Sequence, residues 1–282
     1  MTRLSESDIR CIGNRMENYN RELVIKTGHT LSEIAAHAVG ISQVNEGQID
    51  NLGNIAVVPI TSGLGVIRGF AETVSGILTF LGAKAQVMNH SDVQGVAEAL
   101  ERKSEMIFMA DDDRFIAMHL KSGYFSENSE ATGKGYAAAL DYMVNSLENR
   151  SVLIMGAGRV GRAAAFSVLN FKGKVHVFDL ERKASETLAQ EIYKKSGSRI
   201  SIEENLIIAL RGHQFIIDAC SEGEFINKEH ITPESYIAAP GVPLGIHPEA
   251  IPGIKPRLIH DPLQLGVATM LFDMIKVSGI YS

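Results

Sequence analysis

The sequence predicts an α/β protein in two parts. An N-terminal helical plus small α/β domain covers residues 1–149, and a doubly wound domain covers residues 150–282. Three observations carry this expectation. From Ile55 onward, short apolar runs alternate with helical stripes, the pattern of βαβ units and a mostly parallel sheet. The pattern occurs twice, on either side of the alanine-rich stretch YAAALDYMVNSL. A glycine cluster, MGAGRVGR, then opens the second part between a strand and a helix.

The elements follow in order. Ile9, Ile12, Met16, Tyr19 and Leu23 recur at spacings that place them on one helical stripe, which Gly28 stops. Thr30 and Glu33 form a capping box ahead of Leu31, Ile34, Ala35 and Ala38, and Gly40 closes that helix. The polar segment 45–54 reads as a loop. Strands are expected over Ile55–Ile60, Ala85–Met88 and Glu105–Ala110, with helices over Phe70–Leu81 and Val93–Arg102. A long helix from Thr132 to Asn149 links the two parts. In the second part, strands are expected at Val152–Met155, Val175–Asp179, Phe215–Ala219, Tyr236–Ala239 and Leu258–His260. Helices fall at Val160–Leu169, Ala184–Lys194 and Leu265–Ile275.

Composition removes several function classes. Of 282 residues, 45% are hydrophobic, enough for a full core. The formal net charge of -6, with both signs interspersed, argues against nucleic acid as a partner, because displacing counterions needs a basic stripe. No apolar run reaches the length of a membrane span, so no membrane partner is expected. The opening MTRLSESDIR lacks the apolar region of a secretory signal, and the expected location is the cytoplasm. Cys11 and Cys220 are too few and too far apart to read as a disulfide framework. The histidines show no metal-ligand spacing, and no metal is expected.

The glycines carry the clearest chemistry. Gly156 allows a tight turn off the strand, Gly158 lets the main chain approach a pyrophosphate, and Gly161 lets helix and strand pack closely. Arg159 and Val160 lie within the same turn, at the start of a helix whose N–H groups and dipole favour phosphate. Asp179 ends the next strand, placed to accept from a ribose 2′-OH and to repel a 2′-phosphate. This is a Rossmann-type site with NAD as the expected cofactor. Arg159 and Arg182 could in principle serve NADP, but a solvated charged surface is the preferred reading of both. Pro240 and Gly241 end a later strand and would let the backbone approach the nicotinamide side.

Substrate candidates lie at predicted strand ends, where α/β sheets bind ligands. Thr61 and Ser62 offer hydroxyls beside main-chain N–H groups, or simply form a turn with its cap. Asp111 could anchor a substrate ammonium, or cap a turn. Asp261 is likewise either a cap or a site residue, and Asp112 and Asp113 read as solvated. His119 is the best-placed histidine for acid–base work, against the plainer reading of a structural histidine. The apolar face of the linking helix (Ala137, Ala138, Leu140, Met143 and Val144) would suit a homodimer.

Taken together and in this order, VVPITSGLGVIRGF, IFMADDDRFIAMHLKSG, NSEATGKGYAAAL, LIMGAGRVG, APGVP and DPLQLGVATML resemble the pyrrolysine synthase family. The resemblance runs from Leu4 to Met274. It implies NAD-dependent oxidation of the terminal amine of the methylornithine part of L-lysine-Nε-3-methyl-D-ornithine. Ammonia is released and the aldehyde closes to the pyrroline ring. Residue by residue, it places Leu4 on an N-terminal helix that covers this small-molecule substrate. Ile60, Ser62 and Ile67 line it, and Asp111 holds it. Leu64 stands where the family has asparagine, Asp261 where it has glutamate, and the loop around residues 45–54 is longer than the family's. The catalytic base is not identified by the resemblance.

Two other classes fit the glycine turn. One is another two-domain NAD(P) dehydrogenase, similar to shikimate or methylene-tetrahydrofolate dehydrogenases, for which Lys121 and Lys134 are the available lysines. The other is a non-catalytic NAD-binding module.

Overall fold

A computed structural model describes residues 4–9, 12–43, 49 and 52–278. Cys11 and most of the polar segment 45–54 lie outside the described residues. Two compact units emerge. The first comprises residues 1–22, 30–131 and 263–282, and the second residues 23–29 and 132–262.

The N-terminal stripe is divided among three pieces: α1 (Glu6–Ile9), a 3-10 turn at Gly13–Arg15, and α2 (Met16–Thr27). Its apolar positions Ile9, Ile12, Met16 and Leu23 are nevertheless buried as the spacing predicts. α3 (Leu31–Ala38) starts on the expected capping box: Glu33 N–H donates to Thr30 Oγ1 at 3.3 Å, and Thr30 N–H to Glu33 Oε2 at 2.7 Å.

The first unit then builds β1 (Asn54–Pro59), α4 (Phe70–Phe80), β2 (Lys84–Val87), α5 (Asp92–Glu101), β3 (Met106–Ala110), β4 (Phe115–His119) and β5 (Phe125–Glu127). The sheet order is β2-β1-β3-β4-β5. β1 pairs in parallel with β2 and β3, whereas β4 runs antiparallel to both β3 and β5. The parallel half matches expectation, and the hairpin of β4 and β5 was not expected. Its inward residues Phe115, Ala117 and His119 alternate with half-buried ones, the period-two pattern of a strand. The turn before it, Asp111–Arg114, carries none of the usual Asn-Gly or Asp-Gly hairpin signals.

α6 runs from Asn128 to Met143 rather than from 132 to 149. It ends earlier because Asn145, Ser146 and Asn149 take positive φ values (53°, 107° and 62°), which no helix continues. The face offered above for dimer contact is filled from within: Ala137, Ala138 and Leu140 are 0% exposed, and Met143 and Val144 are buried. With that face covered, the homodimer expectation loses the observation it stood on.

The second unit contains β6 (Ser151–Met155), α7 (Arg159–Asn170), β7 (Lys174–Phe178), α8 (Arg182–Ser196), β8 (Ser201–Ile202), α9 (Leu206–Gly212), β9 (Phe215–Asp218), β10 (Tyr236–Ala239), α10 (Ile251–Ile254) and β11 (Leu258–His260). Its sheet order is β11-β10-β9-β6-β7-β8, and every pairing is parallel. Counted from β6, this is the 3-2-1-4-5-6 order of a dinucleotide-binding Rossmann sheet. Val152, Leu153, Ile154, Ile216 and Ile217 are fully buried, as strands covered on both faces must be.

The last helix, α11 (Gln264–Ser278), corrects the domain division drawn at residue 149/150. It packs on α3, α4, β4 and β5, so residues 263–278 complete the first unit's core and leave the second unit to end at Pro262. Residues 264–275 of α11 are all buried. A helix enclosed on all sides carries no amphipathic stripe to say which unit it serves.

Candidate functional site

The turn between β6 and α7 lies at the point where the strand order of the second unit reverses, between β6 and β9. Open parallel sheets bind ligands there. Gly156 has φ +87°, a conformation that favours glycine, and its N–H donates to Phe178 O at 2.8 Å. A Cβ on Gly161 would lie 1.8 Å from Gly156 O, so α7 packs against the turn only with glycine there. Gly158 differs from both. Its backbone is extended (φ -71°, ψ -169°), and a Cβ there would meet nothing within 4 Å. No contact within the chain demands glycine at this position, whereas a pyrophosphate approaching the main chain would.

The residues present therefore fit a dinucleotide. Gly158 is the N-cap of α7 with no side-chain cap, so the helix start is open to an anion. Arg159 is exposed at the first helical position. Asp179 follows β7. Its Oδ2 accepts from Ala157 N–H at 2.7 Å and its Oδ1 from Glu181 N–H at 2.8 Å. The acid thus braces the glycine turn while its remaining lone pairs stay available to a ribose hydroxyl.

Two residues at this edge were not singled out from sequence. Asp218 ends β9 beside Met155, is 0% exposed, and its Oδ2 has no hydrogen bond of good geometry. Burial pushes its carboxyl up to about 6, against the opposing main-chain N–H groups of Cys220 and Gly245. Burial also raises the Cys220 thiol, helped by the charges of Asp218 and Asp179. Gly241 N–H donates to Asp218 O at 3.0 Å, which ties the Pro240-Gly241 turn after β10 to the end of β9. An acid closing the apolar run Phe-Ile-Ile was the available sequence signal for Asp218.

Asp261 follows β11 and is buried at 4% exposure. Tyr136 of α6 holds it at three atoms: the hydroxyl donates to Asp261 Oδ2 (2.9 Å) and to its carbonyl (2.7 Å), and accepts from its N–H (2.8 Å). Burial and the neighbouring carboxylate push the Tyr136 phenol far up, so it stays a donor. No periodicity could reveal a pair separated by 125 positions.

In the first unit, the loop after β1 is pinned by two acids. Thr61 N–H and Oγ1 donate to Asp92 at 2.8 and 2.6 Å, and Leu64 N–H donates to Asp112 Oδ2. The Thr61 bonds hold the Asp92 carboxyl below its ordinary range. The Thr61 hydroxyl thus serves the loop, and Ser62 is exposed between the two anchors. Ile60 and Ile67 are half-buried at the loop's two ends, while Leu64 is 79% exposed. Leu4 is half-buried just ahead of α1.

Asp111 is exposed, not buried as a strand-end acid would be. It caps the turn into β4, its Oδ1 accepting from Asp113 N–H (2.9 Å) and Arg114 N–H (2.7 Å). Asp112 is not simply solvated, since it anchors Leu64. His119 is 5% exposed, with Nδ1 on Ser122 Oγ at 2.8 Å, which is a structural role. Along β4 and β5 of the same unit, Arg114, Tyr124, Phe125, Glu127 and Glu130 line a cleft of about 470 Å³, with the Arg114 guanidinium 5.4 Å above the Phe125 ring.

Comparison with known proteins agrees with this geometry. Residues 8–126 match the family model "Pyrrolysine biosynthesis protein PylD, N-terminal domain". Pyrrolysine synthase from Methanosarcina acetivorans is 28% identical over 92% of this chain and 97% of its own. Pyrrolysine synthase from Methanosarcina barkeri is 28% identical over 84% of this chain and 86% of its own. Among solved structures, quinate dehydrogenase from Corynebacterium glutamicum in complex with NAD superposes with a TM-score of 0.53 at 15% identity, covering 81% of this chain and 96% of that one. Shikimate dehydrogenase from Aquifex aeolicus gives 0.54 at 13% identity, covering 83% and 94%. The latter two likenesses concern the fold: that of two-domain NAD(P) dehydrogenases. Together with the Rossmann unit and its glycine turn, these matches make the chain similar to the pyrrolysine synthases over most of its length.

Proposed function

We propose that the chain oxidises the terminal amine of the methylornithine part of L-lysine-Nε-3-methyl-D-ornithine, with NAD as oxidant, to form L-pyrrolysine. The observation that carries this reading is the relationship to pyrrolysine synthases over 92% of the chain. The glycine turn and Asp179 support the cofactor half. When bound, NAD supplies the acceptor for the hydride that leaves the amine-bearing carbon.

The chain's own residues bind and orient. Asp179 accepts from the adenosine ribose and disfavours a 2′-phosphate, and the start of α7 holds the pyrophosphate. Ser62 and Asp111 hold polar groups of the substrate, and Ile60, Leu64 and Ile67 meet its methylene chain. The reacting amine must be neutral, because an ammonium has no lone pair to drive hydride out. Exposed Asp111 suits that demand: water screens its charge, so it attracts an ammonium without locking on its proton. Asp261, buried and held by Tyr136, fixes the end of β11 within the Rossmann unit. Loss of hydride gives an imine, water releases ammonia, and the aldehyde condenses with the remaining amine.

The test is turnover. The full chain is given NAD and, separately, the lysine–methylornithine conjugate, quinate or shikimate. NADH forming only with the conjugate supports the reading. NADH formation from quinate or shikimate alone replaces it with a hydroxyl dehydrogenase.

A further inference from the structure

Away from the glycine turn, the second unit brings together three side chains that the sequence keeps well apart. His176 lies in β7, Glu203 follows β8, and His213 caps the C-terminal end of α9. One ligand atom from each lies within 4.8 Å of the others. His176 Nδ1 is 2.8 Å from Glu203 Oε1, and His213 Nε2 is 3.7 Å from the same oxygen. The two rings approach to 4.5 Å between centroids but are tilted by 59°, so they converge on the carboxylate instead of stacking.

Hydrogen bonding settles what His213 offers. Its Nδ1 lies 2.8 Å from the carbonyl of Ala209. A carbonyl only accepts, so Nδ1 carries the proton, and in the neutral ring Nε2 presents a lone pair. An Nε2 lone pair there faces a carboxylate oxygen, acceptor against acceptor, an opposition that either a proton on Nε2 or a metal cation relieves. A carbonyl that fixes the far ring nitrogen is also the usual outer support of a metal-bound histidine.

We propose that His176, Glu203 and His213 form a binding site for one divalent transition-metal ion of the zinc class. Two imidazoles and one carboxylate are a ligand set for such an ion, with a fourth position left to water. Zinc bonds of about 2.0–2.1 Å in a tetrahedron put neighbouring ligand atoms roughly 3.3 Å apart, between the 2.8 and 3.7 Å seen here. Binding displaces the proton that His176 Nδ1 now shares with Glu203. The three side chains are 23%, 22% and 10% exposed, so solvent reaches the site and an ion can enter. The ion would tie the two-residue edge strand β8 and the end of α9 to β7, where the ladder itself pairs only His176 with Ser201 and Val177 with Ile202.

The full chain is stripped with a chelator, dialysed and titrated with zinc chloride alone by calorimetry, and Tm is read with and without the metal. The expected result is one equivalent bound with a rise in Tm, and loss of both in His213→Gln and His176→Gln. NAD affinity of these variants should stay within twofold of wild type, because the glycine turn is elsewhere. Equal zinc binding by wild type and both variants, or no saturable binding, overturns the proposal. If the variants fail to fold, X-ray absorption of the zinc-loaded wild type decides. Two imidazoles and a carboxylate oxygen support the site, whereas sulfur or a shell of oxygens alone overturns it.

Discussion

Replacing Gly158 by alanine separates two reasons for a glycine. The backbone there is extended, and the added methyl would meet nothing within 4 Å. Folding should therefore change little. The N-cap preference of glycine over alanine costs up to about 1 kcal/mol, or roughly 2–4 °C in Tm for a chain of this size. Binding should change greatly, because the methyl stands where a pyrophosphate must approach the main chain. Losing one or two charge-assisted hydrogen bonds at about 1.5–3 kcal/mol each, discounted for partial relaxation to about 2–4 kcal/mol in total, weakens NAD by roughly 30- to 900-fold. Gly161→Ala is the contrasting variant. Its methyl would sit 1.8 Å from Gly156 O, so α7 must move, and stability falls by about 1–3 kcal/mol or more. The assay is fluorescence titration with NADH, paired with thermal unfolding of each variant. A Gly158→Ala protein that folds normally and binds NADH as tightly as wild type would refute the pyrophosphate assignment.

Asp179 should make the wild type prefer NAD over NADP by tenfold or more in kcat/KM, and Asp179→Ala should lose NAD affinity while relaxing the preference. Equal use of both cofactors by the wild type contradicts this. Asp218 gives a pH dependence. Its folded value, raised to about 6 from 3.8, favours the protonated native state. That stabilisation is complete below about 3.8 and is lost as pH rises through about 6, a swing of about 3 kcal/mol at about 1.36 kcal/mol per unit. Asp218→Asn should gain stability relative to wild type at about pH 8 and lose most of that advantage near about pH 4. Urea midpoints with the same pH slope in both proteins would sink the argument. Asp111→Asn keeps an oxygen to accept from Asp113 and Arg114, so Tm should hold while kcat/KM falls about 10- to 100-fold. A loss no greater than that of Asp113→Asn would reduce Asp111 to a turn acid.

What the sequence made legible was what local chemistry determines. The glycine turn, Asp179 and the parallel strands around them follow from spacing over a few dozen residues, and so does the Thr30–Glu33 cap. What stayed hidden depends on distant partners. Nothing near Tyr136 announces Asp261, and nothing near Leu64 or Thr61 announces Asp112 or Asp92. The end of β3 was read correctly from its apolar run, but the turn after it was not. Asp111 was therefore open to two readings, an ammonium anchor or a turn cap, and the structure shows it exposed and capping the turn into β4. The alanine-rich helix misled in the opposite way. Its apolar face looked available to a second copy because the sequence does not show what already covers it. The same lack of local sign applies to His176, Glu203 and His213, which only the sheet and α9 bring together.

The central claim is amine oxidation coupled to ring closure. The most direct test incubates the full chain with L-lysine-Nε-3-methyl-D-ornithine and NAD, then counts NADH, ammonia and product by absorbance and mass spectrometry. The account predicts one NADH and one ammonia for each L-pyrrolysine formed, with far less turnover on NADP. The conjugate left unchanged in the presence of saturating NAD, by a protein shown to bind that cofactor, would contradict it.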